Sequence, residues 1–274
     1  MPNKEFHHRL SEYLLTSSFL LYGVLQSKTI YNSVANYGGK GTSSPPTSTS
    51  TSASTSWNPP AVSAKIAWFV FESPNLAWSL YSYLNRNKSV FNASPANAAL
   101  LSLFVLHYFN RCIIYPIRMS EGSKPMKAVT FLAAFSFCVF NGYLQSESFT
   151  QFRVYPPSYC RDPKFLAGVA IFFCGFCINI QSDNILQRLR DAEPRGTYKI
   201  PKGGLFLYIS CPNFFGEMVE WLGFAIACDS LSAWAFWAWV VANLTPRALS
   251  HHKWYLDRFP DYPTDRCALV PFIM

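Results

Sequence analysis

Four apolar stretches each carry polar side chains that lipid would reject. "AWFVFESP" sets Glu72 inside an apolar run and follows it with Pro74. "LHYFNRCIIYPIR" crowds His107, Tyr108, Asn110, Arg111 and Tyr115 into one segment, with Tyr108, Arg111 and Tyr115 on a common helical face. "GFCINIQSDNILQRLR" spaces Asn179, Asp183 and Arg190 four and then seven residues apart, and "CPNFFGEMVEWLGF" spaces Asn213, Glu217 and Glu220 four and then three apart, again along one helical face. Ionisable residues inside spans cost a few kcal/mol each, which makes them functional candidates. Interhelical hydrogen bonding accounts for any one of them equally well. Carboxylates, amides and arginines on four separate helices call instead for a shared, partly hydrated cavity. Further on, "RALSHHKWYL" adds Arg247, His251, His252, Lys253 and Tyr255, which suit either a surface patch or contacts to phosphates.

The positioning elements follow from composition. The chain has 274 residues, 50% hydrophobic and only 14% charged, against roughly 25% charged in typical soluble domains. A bilayer span needs about 20 mostly apolar residues. Candidates fall near 10–27, 61–84, 95–117, 126–146, 164–186, 205–228 and 230–246. The expected fold is an all-α, integral membrane bundle of seven transmembrane helices. Residues 1–37 hold the first span, and residues 38–60, rich in Ser, Thr and Pro, read as a flexible linker. Residues 61–274 read as one helical membrane unit, with "TYKIPKGGLF" re-aiming the chain between the fifth and sixth spans.

If the loops after spans one, three and five lie with the C-terminal tail, that side holds 15 of the 23 basic residues. By the positive-inside bias it is cytoplasmic, and the N-terminus lies across the membrane. The net charge of +8 needs no nucleic acid; it suits anionic lipid or an anionic ligand from the cytosol. Neither a phosphate-cradling glycine loop nor a zinc-binding helix motif is present, so a nucleotide would bind between membrane helices. Cys174 and Cys177 form a lone CxxC with no second pair or histidine cluster, which reads as packing and implies no metal. Oligomeric state is not encoded in any of these features.

"HYFNRCIIYPIR", "NGYLQ", "GFCINIQSDNILQRLR", "YKIPKGGLFLYISCPNFFGEMVEWLGFAIA" and "HHKWYLDRFPDYPTDRCALVPFI" resemble, in this order and spacing, the steroid 5α-reductase family. The resemblance covers Ala67 to Met274. It implies a multi-pass protein of the endoplasmic reticulum membrane, with a lumenal N-terminus, that uses NADPH to reduce a carbon–carbon double bond conjugated to a ketone. The substrate would be a steroid or sterol-like lipid. Glu72 and Tyr108 match positions that hydrogen-bond the 3-oxo oxygen. Arg111, Asn179, Asp183, Arg190, Tyr198, Asn213, Glu217, Arg247, His251 and Tyr255 match positions that line the cofactor. The chemistry is consistent, because hydride added to the β-carbon of an enone drives negative charge onto the carbonyl oxygen. A tyrosine hydroxyl or a neutral glutamic acid can stabilise that charge by donating a hydrogen bond. Rival readings are an enoyl-CoA or polyprenal reductase of the same fold, a membrane methyltransferase using S-adenosylmethionine, and a sterol-binding or transport protein.

Overall fold

The computed structural model describes residues 60–121, 123–192 and 197–273. The expected first span and the linker up to residue 59 lie outside the described residues, so the count of seven helices does too. Seven α-helices are described, six of them long: α1 Ala64–Leu84, the short α2 Lys88–Phe91, α3 Pro95–Arg118, α4 Ala128–Phe152, α5 Pro163–Asp191, α6 Pro212–Cys228 and α7 Leu231–Arg258. A two-residue antiparallel pairing, β1 Ala61–Val62 with β2 Met126–Lys127, ties the entry of α1 to the entry of α4.

Three helices among the described residues, α3, α4 and α5, are long and apolar enough to cross a membrane. The chain is a multi-pass membrane protein of the all-α class. Its surface agrees. Large apolar side chains such as Ile117, Val129 and Leu132 stand exposed on the bundle, while Asn75, Ser79, Asn97, Asn141 and Gln145 are buried within it. A lipid-facing exterior with amides inside is the arrangement expected where helices are held by hydrogen bonds and close packing.

Helix starts follow local chemistry. Ser94 and Asp162 cap α3 and α5 by accepting from Ala96 N at 3.3 Å and Lys164 N at 2.8 Å, each followed by a proline whose missing N–H is no loss there. Ser230 caps α7 in the same way. Inside α1, Pro74 cannot donate to the carbonyl of Val70; the Ser73 hydroxyl donates to it instead, at 2.8 Å. In α3, Pro116 likewise deprives the carbonyl of Cys112, and the turn ahead of it, Asn110–Ile114, widens into a π-turn. Both distortions sit beside candidate residues, Glu72 in α1 and Arg111 in α3.

Two pairs of helices make the tightest contacts. α5 and α6 run antiparallel and meet at Gly168, Gly175, Gly216 and Gly223, two glycines per helix at seven-residue spacing. A Cβ on Gly175 would lie 2.1 Å from the backbone nitrogen of Glu220, and one on Gly223 would lie 2.2 Å from that of Phe172. The two backbones therefore touch without side chains between them. α1 and α4 run side by side in the same direction, and their close approach is at Gly142, where a Cβ would lie 2.9 Å from the Asn75 Cα.

Two boundaries differ from expectation. The sixth span does not begin at 205: Gly203 and Gly204 adopt positive φ, a 3-10 turn spans Gly204–Leu207, and the helix begins only at Pro212. The seventh helix does not stop near 246 but continues past Pro246 to Arg258. The stretch carrying His251 and Tyr255 is thus helix rather than tail.

Candidate active site

Helices α3, α5 and α6 bring one set of candidates together. The glycine seam sets Asn179 against the start of α6, where its Nδ2 donates to the Asn213 carbonyl at 2.9 Å. Asn213 in turn donates from Nδ2 to Asp183 Oδ1 at 3.3 Å. From α3, Arg111 donates to Asp183 Oδ2 at 3.1 Å and pairs with Glu217 at 3.6 Å. One guanidinium thus serves two carboxylates, all three largely withdrawn from the surface. Asp183, one turn beyond Asn179 on α5, is buried with it. The Asn179 Oδ1 is buried and accepts from no donor among the described residues. A buried acceptor without a donor costs free energy unless a ligand or water supplies one.

The second set lies one turn away. Tyr108 and Glu72 are both buried. Asn141 of α4 donates from Nδ2 to the Tyr108 hydroxyl at 2.8 Å and to Asn75 Oδ1 at 3.3 Å. Asn75 donates from its Nδ2 to the Glu72 carbonyl at 3.4 Å, and the Cys138 thiol reaches Glu72 Oε2 at 3.6 Å. Arg111 joins the two sets. It sits three residues after Tyr108, and its guanidinium lies over the rings of Trp68 and Tyr115 at 4.6 and 4.8 Å. Trp68 is one turn before Glu72, so the arginine is braced between charge on one side and aromatic faces on the other.

The remaining candidates gather at the ends of α5 and α7. Arg190 is exposed. Tyr198 packs edge-on against Trp254 at 5.1 Å. His251 is exposed beside Phe214 of α6 at 5.9 Å, and Tyr255 stacks on Tyr262 at 5.1 Å. Among the described residues, no hydrogen bond or ion pair links Arg190, Tyr198, Arg247, His251 or Tyr255 to the buried network. Next to them the C-terminal segment folds back on the loop before α6. Ser210 N donates to the Cys267 carbonyl at 2.9 Å and Cys211 N to that of Ala268 at 3.1 Å. The Ser210 hydroxyl bonds both His252 Nδ1 at 2.7 Å and the Tyr262 hydroxyl at 2.6 Å.

Glu220 departs from the face it shares by spacing with Asn213 and Glu217. It points instead into the core, where His107 Nδ1 lies 2.7 Å from its Oε1. Arg111–Glu217 and His107–Glu220 are successive rungs between α3 and α6, so α3 and α6 also run antiparallel. Sequence reasoning passed over Asn75, Asn141, Gln145 and the four seam glycines. Asn141 and Gln145 stand four apart in an apolar run, the spacing that marked Asn179 and Asp183, and that signal could have found them.

Geometry of this kind, with an arginine-neutralised carboxylate wall beside a buried tyrosine hydroxyl, defines a helical membrane protein with an internal polar site. The comparisons then fix the family. The model of the 3-oxo-5-alpha-steroid 4-dehydrogenase family matches residues 124–274. The chain is 44% identical over 218 residues to 3-oxo-5-alpha-steroid 4-dehydrogenase 1 of Rattus norvegicus, covering 80% of this chain and 83% of that protein. It is 43% identical over 212 residues to the Homo sapiens protein of the same description, covering 77% and 81% respectively. It is also 39% identical over 223 residues to the steroid 5-alpha-reductase DET2 of Gossypium hirsutum, covering 78% and 83%. The chain belongs to the 3-oxo-5-alpha-steroid 4-dehydrogenase family and is an oxidoreductase.

Proposed function

We propose that this protein reduces the Δ4 double bond of a 3-oxo-steroid with NADPH, giving the 5α-reduced 3-oxo-steroid. The observation that carries the reading is the Arg111 bridge between the Asp183–Glu217 wall and the pocket of Glu72 and Tyr108. It sets a polar wall and the Glu72–Tyr108 corner against adjoining turns of α3, an arrangement that supports a cofactor bound beside a ketone.

The residues present fit the cofactor. The orphaned Asn179 Oδ1 offers an acceptor to an amide N–H or a ribose hydroxyl. Arg190, Arg247 and His251 supply cationic and hydrogen-bonding contacts for phosphates. Asp183, Asn213 and Glu217, oriented by Arg111, supply fixed acceptors and donors for the rest, and Tyr198 and Tyr255 supply aromatic faces. Bound NADPH supplies the hydride. The chain's own work is to bind the ketone, exclude water and stabilise charge. Tyr108 donates its phenolic proton to the 3-oxo oxygen, and Glu72 in its neutral form donates a second hydrogen bond. Charge that develops on that oxygen as the alkene is reduced meets donors already in place.

In this reading residues 61–274 are the catalytic unit of a seven-helix protein of the endoplasmic reticulum membrane. Its C-terminus is cytoplasmic and its N-terminus lumenal, an orientation supported by the basic bias of the loops.

The test is product analysis. Detergent-solubilised protein is incubated with NADPH and a 3-oxo-Δ4 steroid, with an enoyl-CoA in a parallel reaction. Gain of two hydrogens on the steroid alone is expected. Reduction of the thioester alone would retain the cofactor wall and discard the substrate assignment. No reduction in either reaction and no NADPH binding would discard both.

A further inference from the structure

We propose that Asn141, held in one orientation by Asn75 and Gln145, is the positioning residue that keeps the Tyr108 phenolic proton free for the substrate ketone. This rests on the proposed role of Tyr108 as ketone donor. A buried phenol can spend its one proton on any acceptor within reach, and in a pocket lined by amides and carboxyls most neighbours are acceptors. The structure places an amide nitrogen there instead.

The orientation of that amide is fixed from two sides. Asn75 Nδ2 points to the Glu72 carbonyl at 3.4 Å, so Asn75 presents its Oδ1 to Asn141, which donates to it at 3.3 Å. On the other side, Gln145 Nε2 donates to the carbonyl of Ser232 at the start of α7 at 3.0 Å, and to Asn141 Oδ1 at 3.5 Å. Both neighbours demand the same rotamer: oxygen toward Gln145, nitrogen toward Asn75 and Tyr108. The nitrogen's second hydrogen then donates to the Tyr108 oxygen at 2.8 Å. Flipping the amide would set oxygen against oxygen at Asn75 and nitrogen against nitrogen at Gln145. Asn75, Asn141 and Gln145 are almost wholly buried, so water cannot rescue the flipped state.

Two consequences follow. The phenol accepts from Asn141 and has its O–H left over. A phenol that accepts a hydrogen bond is also a stronger donor, because hydrogen-bonded chains polarise one another. The relay reaches from the α7 entrance through α4 to α3, and Gly142 permits it by letting α4 lie against α1 beside Asn75. A purely cohesive role would account for the contacts but not for an effect confined to turnover.

The experiment is a double-mutant cycle on the full chain in detergent: Tyr108→Phe, Asn141→Leu and the pair. Readouts are kcat and KM for a 3-oxo-Δ4 steroid, and NADPH affinity. Asn141→Leu is expected to lower kcat about tenfold while NADPH affinity and KM stay close to the parent values. The double variant is expected to be no slower than Tyr108→Phe alone. Losses that multiply in the double variant, or an unchanged kcat in Asn141→Leu, would overturn the proposal while leaving the Tyr108 assignment standing. An unchanged kcat in Tyr108→Phe would instead sink the Tyr108 assignment and the relay with it. Should Asn141→Leu fail to fold, Gln145→Met removes the amide that sets the orientation. It is expected to give a smaller drop in kcat that likewise vanishes in the Tyr108→Phe background, and persistence of the drop there would overturn the proposal.

Discussion

The α5–α6 pair and the α1–α4 pair are both tight, but they are held differently. Four glycines bring the backbones of α5 and α6 together along the length of α6, and the polar wall follows as a fixed consequence: Asn179 meets Asn213, and Asp183 meets both Asn213 and Arg111. Between α1 and α4 there is one close glycine contact. Side-chain hydrogen bonds join it, Ser79 to Ser146 at 3.1 Å, Ser82 to Glu147 at 2.6 Å and Asn141 to Asn75. The first arrangement suits a surface that must present one shape to a polar ligand. The second suits a corner where the direction of a single proton matters, because amides and hydroxyls set donor direction while packed backbones do not. Under the proposed function the reaction divides along the same line, with the cofactor at the seam and the ketone at the relay.

The severest way to break the comparison is at the seam. Gly175→Val would drive two methyl groups into the α6 backbone at Glu220, and overpacking of this kind costs about 3 kcal/mol or more. Folded protein, NADPH binding and reduction should be lost together, as read by thermal unfolding and cofactor titration; retention of cofactor affinity would show the seam to be pliable. Next comes the proposed ketone corner. Tyr108→Phe is expected to lower kcat about a hundredfold, the cost of one donor to a developing oxyanion, and Glu72→Gln about tenfold. NADPH affinity should change little in either variant, and equal loss of cofactor binding would erase the division between the two regions. Arg190 is exposed and outside the buried network, so Arg190→Ala should leave folding intact and weaken NADPH binding about tenfold; unchanged affinity would return it to the solvated surface. The smallest effect is expected from replacing Cys174 and Cys177 together by Ala. Both are exposed on α5 and should leave turnover within about twofold of the parent.

The division was only half legible in the sequence. The polar wall could be read because an apolar run continues into Asn179 and Asp183 at helical spacing, and a charged group in a span stands out. Glu72 and Arg111 stand out for the same reason. Asn141 and Gln145 did not, because neutral amides disturb hydropathy little and their meaning depends on which helices are neighbours. That adjacency is set by tertiary contacts, Gly142 against Asn75 and Gln145 against the entrance of α7, which no local pattern encodes. Glu220 was read onto the wall by spacing, yet His107 draws it into the core. Helix ends depart from the expected spans where hydropathy fades before the helix does, as in the last turns of α7 to Arg258.

The seam also limits how this protein can change over generations. Glycine has no smaller replacement, and every alternative at Gly175 or Gly223 adds a Cβ where backbone already stands within 2.2 Å. Neither helix can drift while its partner stays put. Under the proposed function, new cofactor preferences are expected to arise at the ends of α5 and α7, where Arg190 and His251 are exposed, and the joint between α5 and α6 should persist as an inherited unit.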